Sequence, residues 1–436
     1  MTDRHAPNLV SWLIAAALAM MSCAVDATED CKTIERVDPI PSPPSLVGLG
    51  NLPQVPADWP DATRAPPIHA LTEASKRFAD RAPAWSLAVA SPRLGLWQAH
   101  IGDSDNARFA AASIGKSMTA VLVFRAIEAG LLSLTDPIDR WFPDLPAADQ
   151  VTIEHLLTHR SGYFIPADGP LSGPYQAPEK AFEKLQKSEL AFCPGQGWAY
   201  SNVAYQLLGR IIEGVSGQSY ADQLHTEIIE PLALTNTKVL RPNTADPLMV
   251  QGHHAGQPVG PVDYASAFAA APVVSTAPDL LRYWRALLGN ELVSQASLER
   301  MIDPAWPMFG DPQMRYGAGI QVAEVPGPGL MLMHSGGITG FSATVAWLLD
   351  HDVWVAVMTN EKQVPAEAAM WALAQALNSV EGQSRKAHDL KSAAGRPFAH
   401  IAEHPPLQWR PCSRSGAPSP MGSAHAPGAP HPSASD

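Results

Sequence analysis

Residues 330–358 read LMLMHSGGITGFSATVAWLLDHDVWVAVM, and three apolar runs divide the stretch: Leu330 to His334, Ala343 to Leu349 and Val353 to Met358. Each run has the length of a strand, and Asp350-His351-Asp352 between the second and third is turn chemistry. Three successive strands follow, and Ala366 to Leu377 reads as a closing helix. At the front of the chain, Ile68, Leu71 and Phe78 recur at helical spacing. Trp85 to Ala90 and Leu96 to Ile101 are then two short apolar runs split by Pro92 and Gly95, as in a β-hairpin. The middle is mostly helix and loop. These elements predict an α+β fold: an antiparallel five-stranded sheet, two strands from the front and three from the back, flanked by the end helices and carrying a mostly helical insertion. A cleft is expected along the junction of sheet and insertion.

Composition sets the limits around this body. Hydrophobic residues at 46% supply a core, whereas 42 prolines are more than such a core uses, so the excess belongs in loops and tails. Residues 28–67 read as a Pro-rich lead-in, with Pro39-Ile40-Pro41-Ser42-Pro43-Pro44 at its centre. Residues 381–436 read as a disordered tail, because Ser, Ala, Gly, Pro and His bury too little surface to offset ordering entropy. The body is thereby assigned to 68–380. Arg4 and His5 precede an apolar stretch from Leu9 to Met21, a secretory pattern with cleavage after Ala27, so 1–27 reads as a signal peptide. The alternative is a lipoprotein leader ending at 22, with Cys23 as an outer-membrane lipid anchor. Either reading exports the folded body to the periplasm or the medium. A formal net charge of -12 with no basic run excludes nucleic acid as a partner. The partner this leaves is a small molecule or a peptide, and the protein is read as a monomer. Beyond the leader, Cys31, Cys193 and Cys412 are widely separated and in no metal-ligand spacing; their pairing stays open, with Cys193 beside Pro194-Gly195 read as a loop thiol.

Three short motifs carry chemistry. Ser113-Ile114-Gly115-Lys116 stands at the start of a helical stretch marked by Met118, Val121, Leu122 and Ile127, which places Lys116 one turn beyond Ser113 on the same side. A serine hydroxyl needs a neighbouring base, and a helix N-terminus favours developing negative charge. The competing reading is an N-cap serine followed by a solvated lysine. Tyr200-Ser201-Asn202 lies at a loop-to-helix corner after Pro194-Gly195-Gln196-Gly197. A phenol there relays a proton and an amide binds an amide, unless Tyr200 only packs and Asn202 only caps. His334-Ser335-Gly336-Gly337 ends a strand where glycines admit a substrate backbone and leave an N–H for an oxyanion.

In this order and on these elements, the motifs resemble those of the serine β-lactamase and penicillin-binding-protein superfamily, in the branch of class C β-lactamases, DD-peptidases and related esterases, with its S-x-x-K, Y-x-N and K-T-G or H-x-G signatures. The resemblance runs from about Ile68 to Leu377 and includes Ile153-Glu154-His155-Leu156-Leu157-Thr158-His159-Arg160-Ser161-Gly162, Glu230-Pro231-Leu232 and Ser275-Thr276-Ala277-Pro278-Asp279-Leu280. It implies a β-lactamase/transpeptidase-like fold and an acyl-enzyme mechanism without cofactor or metal. Ser113 would attack a carbonyl while Lys116 and Tyr200 share the proton traffic, with the choice of base left open. The N–H groups of Ser113 and Gly337 would form the oxyanion hole, and Asn202 would orient the substrate or Lys116. His334, Ser335, Gly336 and Gly337 would line the substrate site.

His155 and His159 have the spacing of a helical zinc pair, but Leu156 stands where a zinc protease carries its glutamate, so they read as a packing pair. His253-His254 reads as solvated. The chain departs from part of the family in charge: His334 replaces a fixed lysine cation, and neutral Gln321 in Tyr316-Gly317-Ala318-Gly319-Ile320-Gln321 stands where carboxypeptidase-like members carry an arginine. This favours neutral esters or amides over free-carboxylate peptides, unless Arg315 or another cation restores the grip. The function expected is a serine hydrolase acting on esters, amides or β-lactam-like substrates. The alternatives are a D-alanyl-D-alanine carboxypeptidase or a non-catalytic β-lactam or peptidoglycan sensor.

Overall fold

Val353–Thr359 is buried along its whole length, which requires that both faces of its sheet be covered. In the computed structural model of the protein, which describes residues 55–388 apart from 63–64, 104, 166–170, 272 and 326–328, both faces are. The framework runs α1 (Ala65–Lys76), β1 (Trp85–Ser91), β2 (Gly95–Ile101), α2 (Gly115–Glu128), α3 (Asn202–Ser216), α4 (Ala277–Leu288), β3 (Trp306–Met308), β4 (Asp311–Tyr316), β5 (Gln321–Val325), β6 (Gly329–Ile338), β7 (Phe341–Leu348), β8 (Val353–Thr359) and α5 (Ala366–His388). Shorter helices and strands fill the insertion between β2 and β3.

The strands form one antiparallel sheet in the order β2-β1-β8-β7-β6-β5-β4-β3. The front hairpin lies beside the last strand, with Trp85 opposite Thr359 and Ala90 opposite Trp354. The five expected strands are all present, but the sheet has eight, which corrects the five-stranded expectation. The added strands β3, β4 and β5 form one edge. They lack apolar runs for a physical reason: Pro307 and Pro312 interrupt the first two, and Asp311, Pro312 and Gln313 are exposed, as an edge permits.

Alternation along the strands sorts the core. Leu87, Val89, Val353, Val355 and Val357 pack with Leu71, Phe78, Leu373 and Leu377 of the terminal segments. Ala88, Ala90, Trp354, Ala356 and Met358 turn the other way, toward Ile114, Met118, Val121, Leu207, Leu281 and Trp284. A one-residue slip would exchange the two sets, so the register is tightly specified. Helix α2 is buried nearly all round, including Lys116, Ser117 and Thr119, which is the pattern of a central rather than a surface helix. It carries the first motif into the interior.

Helix α1 begins three residues before the expected boundary at 68, and α5 continues past 380. The leader 1–27, Cys23, Cys31, Cys412, most of the lead-in and residues 389–436 of the tail lie outside the described residues. Among the described residues, no helix is long and apolar enough to cross a membrane. Cys193 is buried in a loop. His253–His254 forms a short strand, half-buried at His253 and exposed at His254.

Candidate active site

The nucleophile candidate is delivered by a strand and a strained turn. Phe109–Ala110 pairs with Val273–Ser275, and Ala111 N–H donates to Val273 O at 2.9 Å. Ala112 then adopts φ 49°, a left-handed conformation that costs a residue with a Cβ about 1–3 kcal/mol. The 3-10 turn Ala112–Ile114 leads directly into α2. The N-cap of α2 is Ile114, without a side-chain cap, so the capping alternative for Ser113 does not hold.

Lys116 is not solvated either; its side chain is fully buried. Its Nζ donates to Ser113 Oγ at 3.1 Å, to Asn202 Oδ1 at 2.8 Å and to Ala270 O at 2.9 Å. Burial pushes this amine down from 10.5 to about 7, because desolvation disfavours the ammonium. Asn202 Oδ1 and the Ala270 carbonyl only accept hydrogen bonds, so they hold two N–H groups. The third tetrahedral position of Nζ faces Ser113, whose hydroxyl both donates and accepts. When the amine is neutral, its lone pair points at the serine proton.

The second motif closes the cluster from the other side. The Tyr200 hydroxyl is hydrogen-bonded with Ser113, and desolvation raises its pKa, so it is a phenol near neutral pH. Lys116 Nζ lies 4.9 Å from the Tyr200 ring centroid. Ser201, not Asn202, caps α3 by accepting from Ala204 N–H at 3.2 Å. Asn202 is therefore left to hold Lys116.

The third motif lies on β6 beside the nucleophile turn. A Cβ on Gly336 would lie 2.3 Å from Ala111 O, so only glycine lets the strand approach the segment that carries Ser113. Gly337 is exposed at the strand end and Ser335 is half-buried. His334 is different. It is fully buried, its Nδ1 donates to Ser335 O at 2.7 Å, and its Nε2 accepts from the Tyr316 hydroxyl at 3.0 Å. Burial first, and Lys116 in addition, push it down to about 3. The expectation of His334 as a substrate-contacting residue is corrected here: it is a neutral ring enclosed behind the strand, without surface to offer a ligand.

Gln321 is equally committed, since its Oε1 accepts from Ser335 N–H at 3.0 Å. Arg315 is buried, with Glu324 at 3.9 Å. The histidine pair serves the fold: His155 Nδ1 accepts from Thr152 N–H in a capping box at the short helix Ile153–Leu157, and His159 packs under Tyr200 with a ring-centroid distance of 4.3 Å. Sequence reading missed the Ala270 carbonyl, which carries no side-chain signal. It also missed Lys362, whose Nζ would lie 2.2 Å from a Cβ on Gly337, and Tyr316, the partner of His334.

A buried lysine joined to a serine hydroxyl, with a phenol on the same oxygen and a glycine strand alongside, defines a site of the serine acyl-transfer class. The family profile described as Beta-lactamase matches residues 96–378, and the chain belongs to that family. It is 32% identical over 283 residues to Penicillin-binding protein 4* of Bacillus subtilis (strain 168), covering 59% of this chain and 62% of that one. It is 30% identical over 171 residues to Esterase EstB of Burkholderia gladioli, covering 34% and 42%. The alignments to these two relatives span less than two thirds of their length. Among solved structures, D-amino acid amidase from Ochrobactrum anthropi SV3, complexed with D-phenylalanine, shares the fold with a TM-score of 0.66 at 24% identity, covering 72% of this chain and all of the other.

Proposed function

We propose that the protein is a serine hydrolase that forms an acyl-enzyme on Ser113, acting on uncharged esters or amides. The observation that carries this reading is the Lys116 amine, buried, shifted toward neutrality and directed at Ser113 Oγ. Lys116 takes the Ser113 proton as Oγ bonds to the carbonyl carbon, and the carbonyl electron pair moves onto oxygen. The N–H groups of Ser113 and Gly337 receive that oxyanion. Tyr200 passes its proton to the departing alcohol or amine as the tetrahedral species collapses, and takes back the proton held by the Lys116 ammonium, which leaves both groups neutral; water, deprotonated by Lys116, then attacks the acyl carbon, and the same transfers release the acid and return the proton to Ser113 Oγ. The raised pKa of Tyr200 favours Lys116 as the base and the phenol as the proton carrier. The export reading of residues 1–27 places this activity outside the cytoplasm.

The preference for uncharged substrates rests on the lack of a fixed charge at two expected positions, with neutral His334 enclosed and Gln321 engaged with Ser335. A D-alanyl-D-alanine carboxypeptidase is favoured by one observation, the Lys362 ammonium beside Gly337, which is placed to meet a carboxylate. Turnover of a nitrophenyl ester, a D-amino-acid amide, nitrocefin and a D-Ala-D-Ala peptide at pH 7.5 separates the two. The ester or amide is expected to give the highest kcat/KM. A dominant peptide activity that Lys362→Met abolishes selectively would establish the carboxypeptidase, and no turnover of any substrate, with stable acylation, would leave a sensor.

A further inference from the structure

One residue brackets Tyr200 on both sides. The N–H of Ala199 donates to the carbonyl of His159 at 3.0 Å, and the N–H of Ser201 donates to Nδ1 of the same histidine at 3.0 Å. The imidazole lies against the phenol with ring centroids 4.3 Å apart and planes at 35°. Tyr316 and Tyr205 enclose it further at 4.5 and 5.2 Å. His159 is 1% exposed and adopts φ 60°, the left-handed conformation that turns its carbonyl and its ring toward one loop.

Histidine suits this position for two separate reasons. Its flat ring packs on the phenol, and its Nδ1 lone pair satisfies a backbone N–H that would otherwise be buried unpaired. Because Nδ1 accepts, the proton resides on Nε2. Protonation would set one N–H against another, but burial and the nearby Lys116 hold the ring neutral far below the ordinary histidine range. The burial that encloses the ring thus opposes the one charge that would break the bracket. With Ala199 and Ser201 both fixed, the Tyr200 backbone cannot shift without breaking a buried bond, and its ring cannot turn without leaving the imidazole.

We infer that His159 is a positioning residue of the reaction, holding Tyr200 by backbone and ring so that the phenol hydroxyl stays on Ser113. This rests on the reading of Tyr200 as the proton carrier. A packing residue alone would lower stability and spare the chemistry; a positioning residue changes the acylation rate through Tyr200 and nothing else.

A double-mutant cycle with Tyr200→Phe separates these roles, read as the rate of acylation by a nitrophenyl ester and, for slow variants, by a fluorophosphonate. His159→Phe keeps a ring and loses the acceptor; the acylation rate is expected to fall about 10- to 100-fold, as misplacement near 1 Å does, with KM within about twofold. His159→Asn restores an acceptor at a position where asparagine tolerates the backbone, and is expected to recover most of the rate. In the Tyr200→Phe background, His159→Phe is expected to lower the rate by less than about twofold more, because coupled residues are not additive. If His159→Phe fails to fold, His159→Ala takes its place in the cycle with folding checked by circular dichroism. Additive losses, or a change confined to KM, would overturn the inference while leaving the Tyr200 reading intact. A Tyr200→Phe enzyme of undiminished rate would overturn both.

Discussion

Titrating the enzyme from pH 5.5 to 9.5 perturbs the Lys116 amine. Lowering its pKa from 10.5 to about 7 corresponds to about 5 kcal/mol against the ammonium. At pH 7 about half of the molecules then carry a neutral amine, against about one in 3,000 for an ordinary lysine. The acylation rate of a nitrophenyl ester, followed by stopped flow, is therefore expected to rise about tenfold per pH unit up to about 7 and level off above it. Lys116→Arg, whose guanidinium stays charged throughout, is expected to be inactive across the range. Asn202→Asp sets a carboxylate where Oδ1 now lies 2.8 Å from Nζ; it favours the ammonium and is expected to move the limb upward by about 1–3 pH units. Stability follows the same group. The unfolded chain keeps a proton on Lys116 that the folded protein sheds between about pH 7 and 10.5, so this residue makes stability rise with pH in that window. A flat acylation profile, or a limb that Asn202→Asp leaves in place, would refute the assignment of Lys116 as base.

Gly336→Ala places a Cβ against Ala111 O and forces the nucleophile turn away from β6, so kcat is expected to fall by about 10² or more with circular dichroism unchanged; wild-type turnover would show that the approach is not needed. Gln321→Arg removes the acceptor of Ser335 N–H and is expected to lower turnover of every substrate instead of creating peptide activity; a selective gain on a free-carboxylate peptide would contradict that.

The strands at both ends were legible because Val353–Thr359 and Trp85–Ser91 are buried along their whole length, and runs of that kind announce themselves. Strands β3 and β4 were not, since Pro307, Pro312 and the exposed Asp311 and Gln313 erase periodicity at that edge, and in β5 Gln321 and Glu324 break up a run of only five residues. The cluster of Ser113, Lys116, Tyr200 and Asn202 was legible from motif spacing. Its electrostatics were not: whether Lys116 is solvated or buried depends on α2 being central, which only the packing of three helices decides. His334 was expected to line the substrate site because its motif resembles the family's third signature, yet the Tyr316 hydroxyl and the Ser335 carbonyl take both ring nitrogens. Nothing in local sequence reports such a partner 18 residues away. His159 was placed correctly as a packing residue, but its hold on Tyr200 depends on contacts about 40 residues distant.

The central claim is that Ser113 becomes acylated, and mass spectrometry tests it most directly. The intact protein, mixed with a slowly hydrolysed ester or a fluorophosphonate and digested, is expected to gain one adduct mass, located by fragmentation to Ser113. Ser113→Ala is expected to fold, with its Lys116 bond lost, and to gain none. An adduct on another residue, or full labelling and turnover by the Ser113→Ala protein, would contradict the account.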